Sequence, residues 1–247
     1  MLVVWLPGRY DECQRYLIDL DASFAAAPPP FLGASPDGVL AASALEPDTP
    51  PSHPRRWARW ERPPGKTDGD VFLHRELLVR SLDGRRVDLV TISDWGGMLR
   101  DGGGGLCESH EHLAGLDPAV FPEARSGVRP HAPAFRDKPT VFLTARVHPG
   151  ETPASFSLLG SLGLLLHPTD ARAVALRRHF VFKVVPMLNP DGVARGHYRQ
   201  DNFGRNLNRY YCAPTAAEQP TIYAAKQAIR MHAFMPPNDH LLASGLW

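Results

Sequence analysis

The chain has 247 residues, 43% of them hydrophobic, with 27 Lys and Arg against 26 Asp and Glu, a formal net charge of +1. That length and apolar content support one sizeable domain with its own core, with room for an extension. So even a charge balance excludes a general pull toward nucleic acid or an anionic membrane, and no apolar run is long enough for a bilayer-spanning helix.

In chain order, Leu2 to Leu6 reads as a short buried strand. Pro7 ends it too soon for a secretory apolar region. Asp11 to Ala26 has helical periodicity, with Cys13, Tyr16, Leu17, Leu20 and Phe24 on one face. The pattern then dissolves into a Pro-rich loop over 27–70. Its Arg55-Arg-Trp-Ala-Arg-Trp60 knot is read as tucked indoles in a solvated loop rather than a nucleic-acid stack. Val71–Val79 and Arg86–Ser93 are apolar-rich and joined through Ser81-Leu-Asp-Gly84, which predicts a hairpin. Trp95 to Lys138 contains Gly102-Gly-Gly-Gly105 with no Lys-Ser/Thr after it, so it reads as a surface insertion rather than a phosphate cradle. Cys13, Cys107 and Cys212 are scattered without Cys-x-x-Cys spacing, which fits a reduced, cytosolic compartment.

The second half differs in kind. Thr140–Val147 is a near-continuous apolar run, as expected of a central strand covered on both faces. Helices are predicted over Pro153–Leu166 and Asp170–His179, followed by a buried strand over Phe180–Met187. Strand, helices and strand form a crossover unit, hence an α/β fold with a parallel strand pair. Asn189-Pro-Asp-Gly192 is expected as a structural turn at that strand's carboxyl end, and a last helix over Pro220–His232.

Chemistry gathers at the strand exits. His148 and Glu151, three positions apart after a strand, can point at one divalent metal, supplying half of a two-His, one-carboxylate set. Arg199 and Asn208-Arg209 follow, and an arginine fork takes a carboxylate in bidentate fashion. A metal that polarises a carbonyl beside a carboxylate grip suits hydrolysis of a C-terminal peptide bond. Alone, His-x-x-Glu is usually a surface hydrogen-bonded pair and an arginine a structural ion pair. His167, His179, His197 and His232 lack ligand spacing and read as solvated or packing residues.

Together, His148-Pro-Gly-Glu151, Pro186-Met-Leu-Asn-Pro-Asp-Gly192 and Asn206-Leu-Asn-Arg209 resemble the cytosolic carboxypeptidases of the zinc carboxypeptidase superfamily, over roughly Leu73 to Met231. A narrower match to one branch is carried by His74-Arg-Glu-Leu-Leu78, Ser81 to Ile92, His148 to Phe156 and Gly192 to Tyr198. The resemblance implies a partial zinc-carboxypeptidase fold over 71–235, a mixed, partly parallel sheet with flanking helices. Residues 1–26 would be the end of an N-terminal β domain and its connecting helix, and 236–247 an irregular tail. It implies Zn2+ held by His148 and Glu151, oxyanion stabilisation by Arg199, and a substrate carboxylate gripped by Asn208 and Arg209. The implied substrates are glutamylated protein tails, tubulin above all, in the cytosol at microtubules, with no nucleic-acid or membrane partner.

The family's third ligand, a His in an Asp-x-His-Gly-His setting, and its later general-base Glu have no match here; His240 lacks that setting. The expectation is therefore a piece of a longer enzyme, inactive alone. An aspartoacylase-like amidohydrolase and a non-catalytic module binding acidic tails are the rival readings.

Overall fold

The structure is a computed structural model that describes residues 8–24, 62–98 and 132–234. The expected strand at Leu2–Leu6, most of the 27–70 loop with its Arg-Trp knot, the Gly102–Gly105 run, Cys107 and the tail with His240 lie outside the described residues.

Strands β1 (Val71–Arg80) and β2 (Arg86–Asp94) form the expected antiparallel hairpin. Its turn closes with Gly84 N–H donating to Ser81 O at 2.9 Å, and Gly84 lies at φ 77, a region glycine enters without strain. β3 (Thr140–Thr144) runs parallel to β4 (Val181–Val185), which pairs antiparallel with β2, giving the order β1-β2-β4-β3. Helices α2 (Thr152–Leu165) and α3 (Ala171–His179) make the crossover from β3 to β4. The sheet is thus mixed and partly parallel. β2 and β4 are its interior strands and are buried almost throughout, whereas β3, expected as a central strand from its apolar run, lies at the edge of the described sheet and is only partly buried. β3 stops three residues earlier than the apolar run suggests, because Arg146 takes a left-handed backbone with φ 57.

Alternation along the strands sends side chains to two cores. On one face Val90, Ile92, Phe182 and Val184 meet Leu158, Leu162 and Leu165 of α2 and Leu17 of α1 (Tyr10–Phe24). On the other, Leu89 and Val185 meet Ile222, Ala224, Ala225 and Ala228 of the long helix Pro220–Phe234. α1 is also pinned by polar contacts: Gln14 donates to Asp88 at 2.9 Å and accepts from Arg75 at 2.8 Å, while Arg75 pairs with Asp88 at 3.0 Å.

The crossover helices are finished at their ends. Asp170 caps α3 by accepting from Arg172 N–H at 2.8 Å, and Arg177, Arg178 and His179 oppose the dipole in its last turn. Arg177 is fully buried and donates to the carbonyls of Leu165 and His167 at 2.7 and 2.9 Å, satisfying the acceptors that α2 leaves open.

Asn189-Pro-Asp-Gly192, expected as a turn, instead opens a short helix, α4 (Pro190–Ala194), with Asn189 Oδ1 accepting from Gly192 N–H at 2.9 Å. Proline at the first helical position and asparagine before it are a helix start. Its Asp191 is a hub. It accepts from Ser81 Oγ at 2.6 Å, Arg85 at 2.9 Å, Asp83 N–H at 3.1 Å and Asn202 Nδ2 at 3.1 Å, locking the hairpin turn onto α4 and the loop beyond it. Asp83 in turn takes both fork nitrogens of Arg195 at 2.9 and 2.8 Å; those bonds, with help from Arg85, pull its carboxyl down to about 2.

Candidate functional site

β3 and β4 lie side by side in parallel, so their carboxyl ends deliver two segments to the same edge of the sheet. Beyond the strands these segments stay zipped: Leu188 N–H donates to Ala145 O and Asn189 N–H to Arg146 O, each at 3.0 Å. The sequence motifs meet here, and close packing explains their glycines. A Cβ on Gly150 would lie 2.7 Å from Tyr198 O, and one on Gly192 would collide with Pro149. The metal-pair turn therefore sits directly on α4 and on the loop that carries Arg199.

His148 is 5% exposed and makes two contacts through its ring. Nε2 lies 2.9 Å from Asn206 Oδ1, and Nδ1 lies 2.8 Å from Glu151 Oε1. Asn206 Oδ1 also accepts from Asn208 N–H at 3.0 Å, as the cap of the 3-10 turn Leu207–Arg209. An amide nitrogen facing that backbone N–H would leave two donors in opposition, so the shared atom is the oxygen and Nε2 carries the proton. Nδ1 faces Glu151 Oε1 at hydrogen-bond distance. With no proton on Nδ1 these are two acceptors aimed at one point, where a proton or a metal cation can stand. A neutral imidazole with its second nitrogen hydrogen-bonded is the form that a metal takes. Glu151 is half exposed and can open the gap to the spacing that two zinc bonds of about 2.0–2.2 Å require. The pair thus fits two positions of a zinc shell. Among the described residues no cluster of three His, Cys, Asp or Glu side chains is placed to hold a metal.

Arg199 stands 3.5 Å from Glu151 Oε1, on the open side of the pair. Asn208 and Arg209 are exposed on the 3-10 turn. Four arginines line residues 195–209, and their engagements differ. Arg195 is taken by Asp83, while Arg205 pairs with Glu218 at 2.6 Å and stacks over Phe203. Arg209 makes no ion pair with any described residue.

Two residues of this site escape a reading by motif. Asn206 was legible only as part of the Asn-Leu-Asn-Arg block, although asparagine immediately before a short helical turn is a cap signal. Arg146 is buried and shapes the turn that bears His148 and Glu151; its left-handed backbone costs about 1–2 kcal/mol.

Asn206 has two jobs that substitution can separate. Serine can still cap the 3-10 turn but is too short to reach His148, whereas aspartate can do both. Asn206→Ser should weaken zinc binding roughly 10–100-fold with little loss of stability, and Asn206→Asp should retain it. Competition with a chromophoric chelator reads both; equal affinity in all three proteins would remove Asn206 from the site.

The fold is α/β, and the convergence of His148 and Glu151 at its strand ends is compatible with a metallohydrolase. The zinc carboxypeptidase family matches residues 72–228, more than half of the chain, and the chain belongs to that family. It is 39% identical to cytosolic carboxypeptidase-like protein 5 of Danio rerio over 240 residues, covering 97% of this chain and 22% of that protein. The protein of the same name from Bos taurus is 49% identical over 162 residues, or 66% and 17% of the two chains. A crystal structure of a putative carboxypeptidase A from Shewanella denitrificans matches with a TM-score of 0.47 at 28% identity, covering 65% of this chain and 32% of that one. The chain spans about a fifth of the length of the curated relatives it matches.

Proposed function

We propose that this chain carries part of the active site of a cytosolic zinc carboxypeptidase that removes glutamate from the C-terminal or branch-point positions of acidic protein tails, tubulin being the expected substrate. The observation that supports it most is the convergence of His148 Nδ1 and Glu151 Oε1 at 2.8 Å, with the imidazole's other nitrogen committed to Asn206. His148 and Glu151 would hold the zinc. When bound, zinc polarises the scissile carbonyl and makes water nucleophilic at neutral pH. Arg199, beside Glu151, would hold positive charge where the tetrahedral oxyanion develops. Arg209 offers its fork to the substrate's terminal carboxylate, and Asn208 beside it donates to the second oxygen.

Arg209, which has no ion-pair partner among the described residues, also supports a second reading, a module that binds acidic tails without turnover. Glutamylated tail peptides incubated with the chain, with and without zinc, separate the two: zinc-dependent release of glutamate, or a peptide affinity that zinc raises, supports the enzyme site, and an affinity indifferent to zinc supports the module. Either way Arg209→Lys should raise the Kd for such a peptide by roughly 10-fold or more, because a point ammonium cannot reproduce a bidentate fork. An unchanged Kd, read by fluorescence anisotropy, would remove Arg209 from the carboxylate site.

A further inference from the structure

The carbonyls of the turn that bears His148 and Glu151 each have a hydrogen-bond donor, and one of these donors is unusual. Arg146 O accepts from Asn189 N–H, and Val147 O from Asn189 Nδ2 at 3.4 Å. His148 O accepts from Glu151 N–H at 3.2 Å, Gly150 O from Thr152 N–H at 2.9 Å, and Glu151 O from Ala154 N–H at 3.1 Å. Pro149 O, like Val147 O, has no backbone donor among the described residues. It is held instead by the Arg146 guanidinium, from Nε at 3.1 Å and Nη2 at 2.6 Å. The same fork donates to Ser155 Oγ in the first turns of α2 at 2.9 Å and to Gly8 O just before α1 at 3.1 Å.

This is an uncommon use of an arginine. Arg146 is 3% exposed and makes no ion pair with any described residue; all its recorded bonds go to neutral oxygens. Burial pushes the tendency of its guanidinium to stay charged downward. Its backbone sits in the left-handed region at φ 57, where arginine is disfavoured. A buried cation on a strained backbone, neutralised by no carboxylate among the described residues, bears a cost that the geometry it enforces can explain.

We propose that Arg146 is a positioning residue: its guanidinium clamps Pro149 O between His148 and Glu151 and so holds the two ligands in register. The zinc readout of this inference rests on the function proposed above; a readout on the metal-free chain does not.

Arg146→Gly relieves the backbone and leaves a guanidinium-sized gap, and Arg146→Lys keeps the charge without the fork. Both should weaken zinc binding roughly 10–100-fold, the range seen when groups that orient metal ligands are lost. Millimolar guanidinium ion should restore the affinity of Arg146→Gly and leave Arg146→Lys, whose side chain fills the gap, unrescued. In the metal-free proteins, amide exchange at Gly150 and Glu151 should quicken about 10-fold or more in Arg146→Gly, while Val184 in β4 keeps its protection, and guanidinium should slow it again. A purely structural role would lower the melting temperature, speed exchange at Val184 equally, and leave the affinity at lower temperature unchanged; that pattern would overturn the proposal. If the unaltered chain takes up no zinc, the function proposed above fails, and the exchange data alone decide for or against the clamp.

Discussion

His148→Ala should abolish zinc uptake at this site while leaving the fold standing. The ring of His148 makes two hydrogen bonds, and neither partner is stranded by its loss. Asn206 Oδ1 keeps Asn208 N–H, and Glu151 is half exposed and turns to water or to Arg199. The stability cost should therefore be that of a truncated buried side chain, about 1–3 kcal/mol. Loss of a ligand removes a bond to the metal itself, so zinc affinity should fall by more than the roughly 100-fold that loss of an outer partner costs. Glu151→Gln should do the same with almost no change in shape, since it removes the charge and keeps the volume. Chelator competition measures both variants, and circular dichroism confirms the fold. Unchanged affinity in both would show that zinc binds elsewhere.

Asp191→Ala should produce the largest loss of stability of any single side chain in the loop region, about 3 kcal/mol. Asp191 is 5% exposed, and its carboxylate ends four donors at once: Ser81 Oγ, Arg85, Asp83 N–H and Asn202 Nδ2. Alanine leaves the buried donors unsatisfied and the guanidinium of Arg85 without its buried partner. Arg85 is about three-tenths exposed, which keeps the cost toward the low end of the range for broken buried pairs. Asp191→Asn retains the acceptor and loses the charge, so it should cost less. Urea denaturation midpoints give both values. A loss below about 1 kcal/mol for the alanine variant would mean that water replaces the carboxylate, and that the hairpin turn is not locked through it. Asn202 lies between Arg199 and Asn206 in the chain, so loosening Asp191 should also loosen the loop that presents Arg209.

These two residues mark the boundary of what was legible in the sequence. The hairpin could be read because its apolar runs and Asp-Gly turn are local signals. The crossover could be read because β4 is apolar apart from Lys183 and the helices carry their own periodicity. His148 and Glu151 could be singled out because ligand pairs at a strand exit have short spacing, and the structure brings them together. Asp191 could not be recognised as a hub: its donors come from residues about 110 positions earlier and from a loop 11 positions later. The motif around it looked like a turn because proline and glycine mark both turns and helix starts. Arg146 sits in an apolar run that reads as continuous strand, and only its left-handed backbone ends β3 at Thr144. Asn206 hides within a motif whose neighbours carry the more conspicuous chemistry. In each case the missing information was a long-range contact, which periodicity and spacing do not encode.

The central claim, that His148 and Glu151 form a zinc site, is tested most directly by zinc-edge X-ray absorption on the chain loaded with one equivalent of zinc. The account predicts nitrogen and oxygen scatterers at about 2.0–2.2 Å with an imidazole signature that disappears in His148→Ala. Sulfur at about 2.3 Å, which would point to cysteine ligation, or a shell unchanged in His148→Ala, would contradict it.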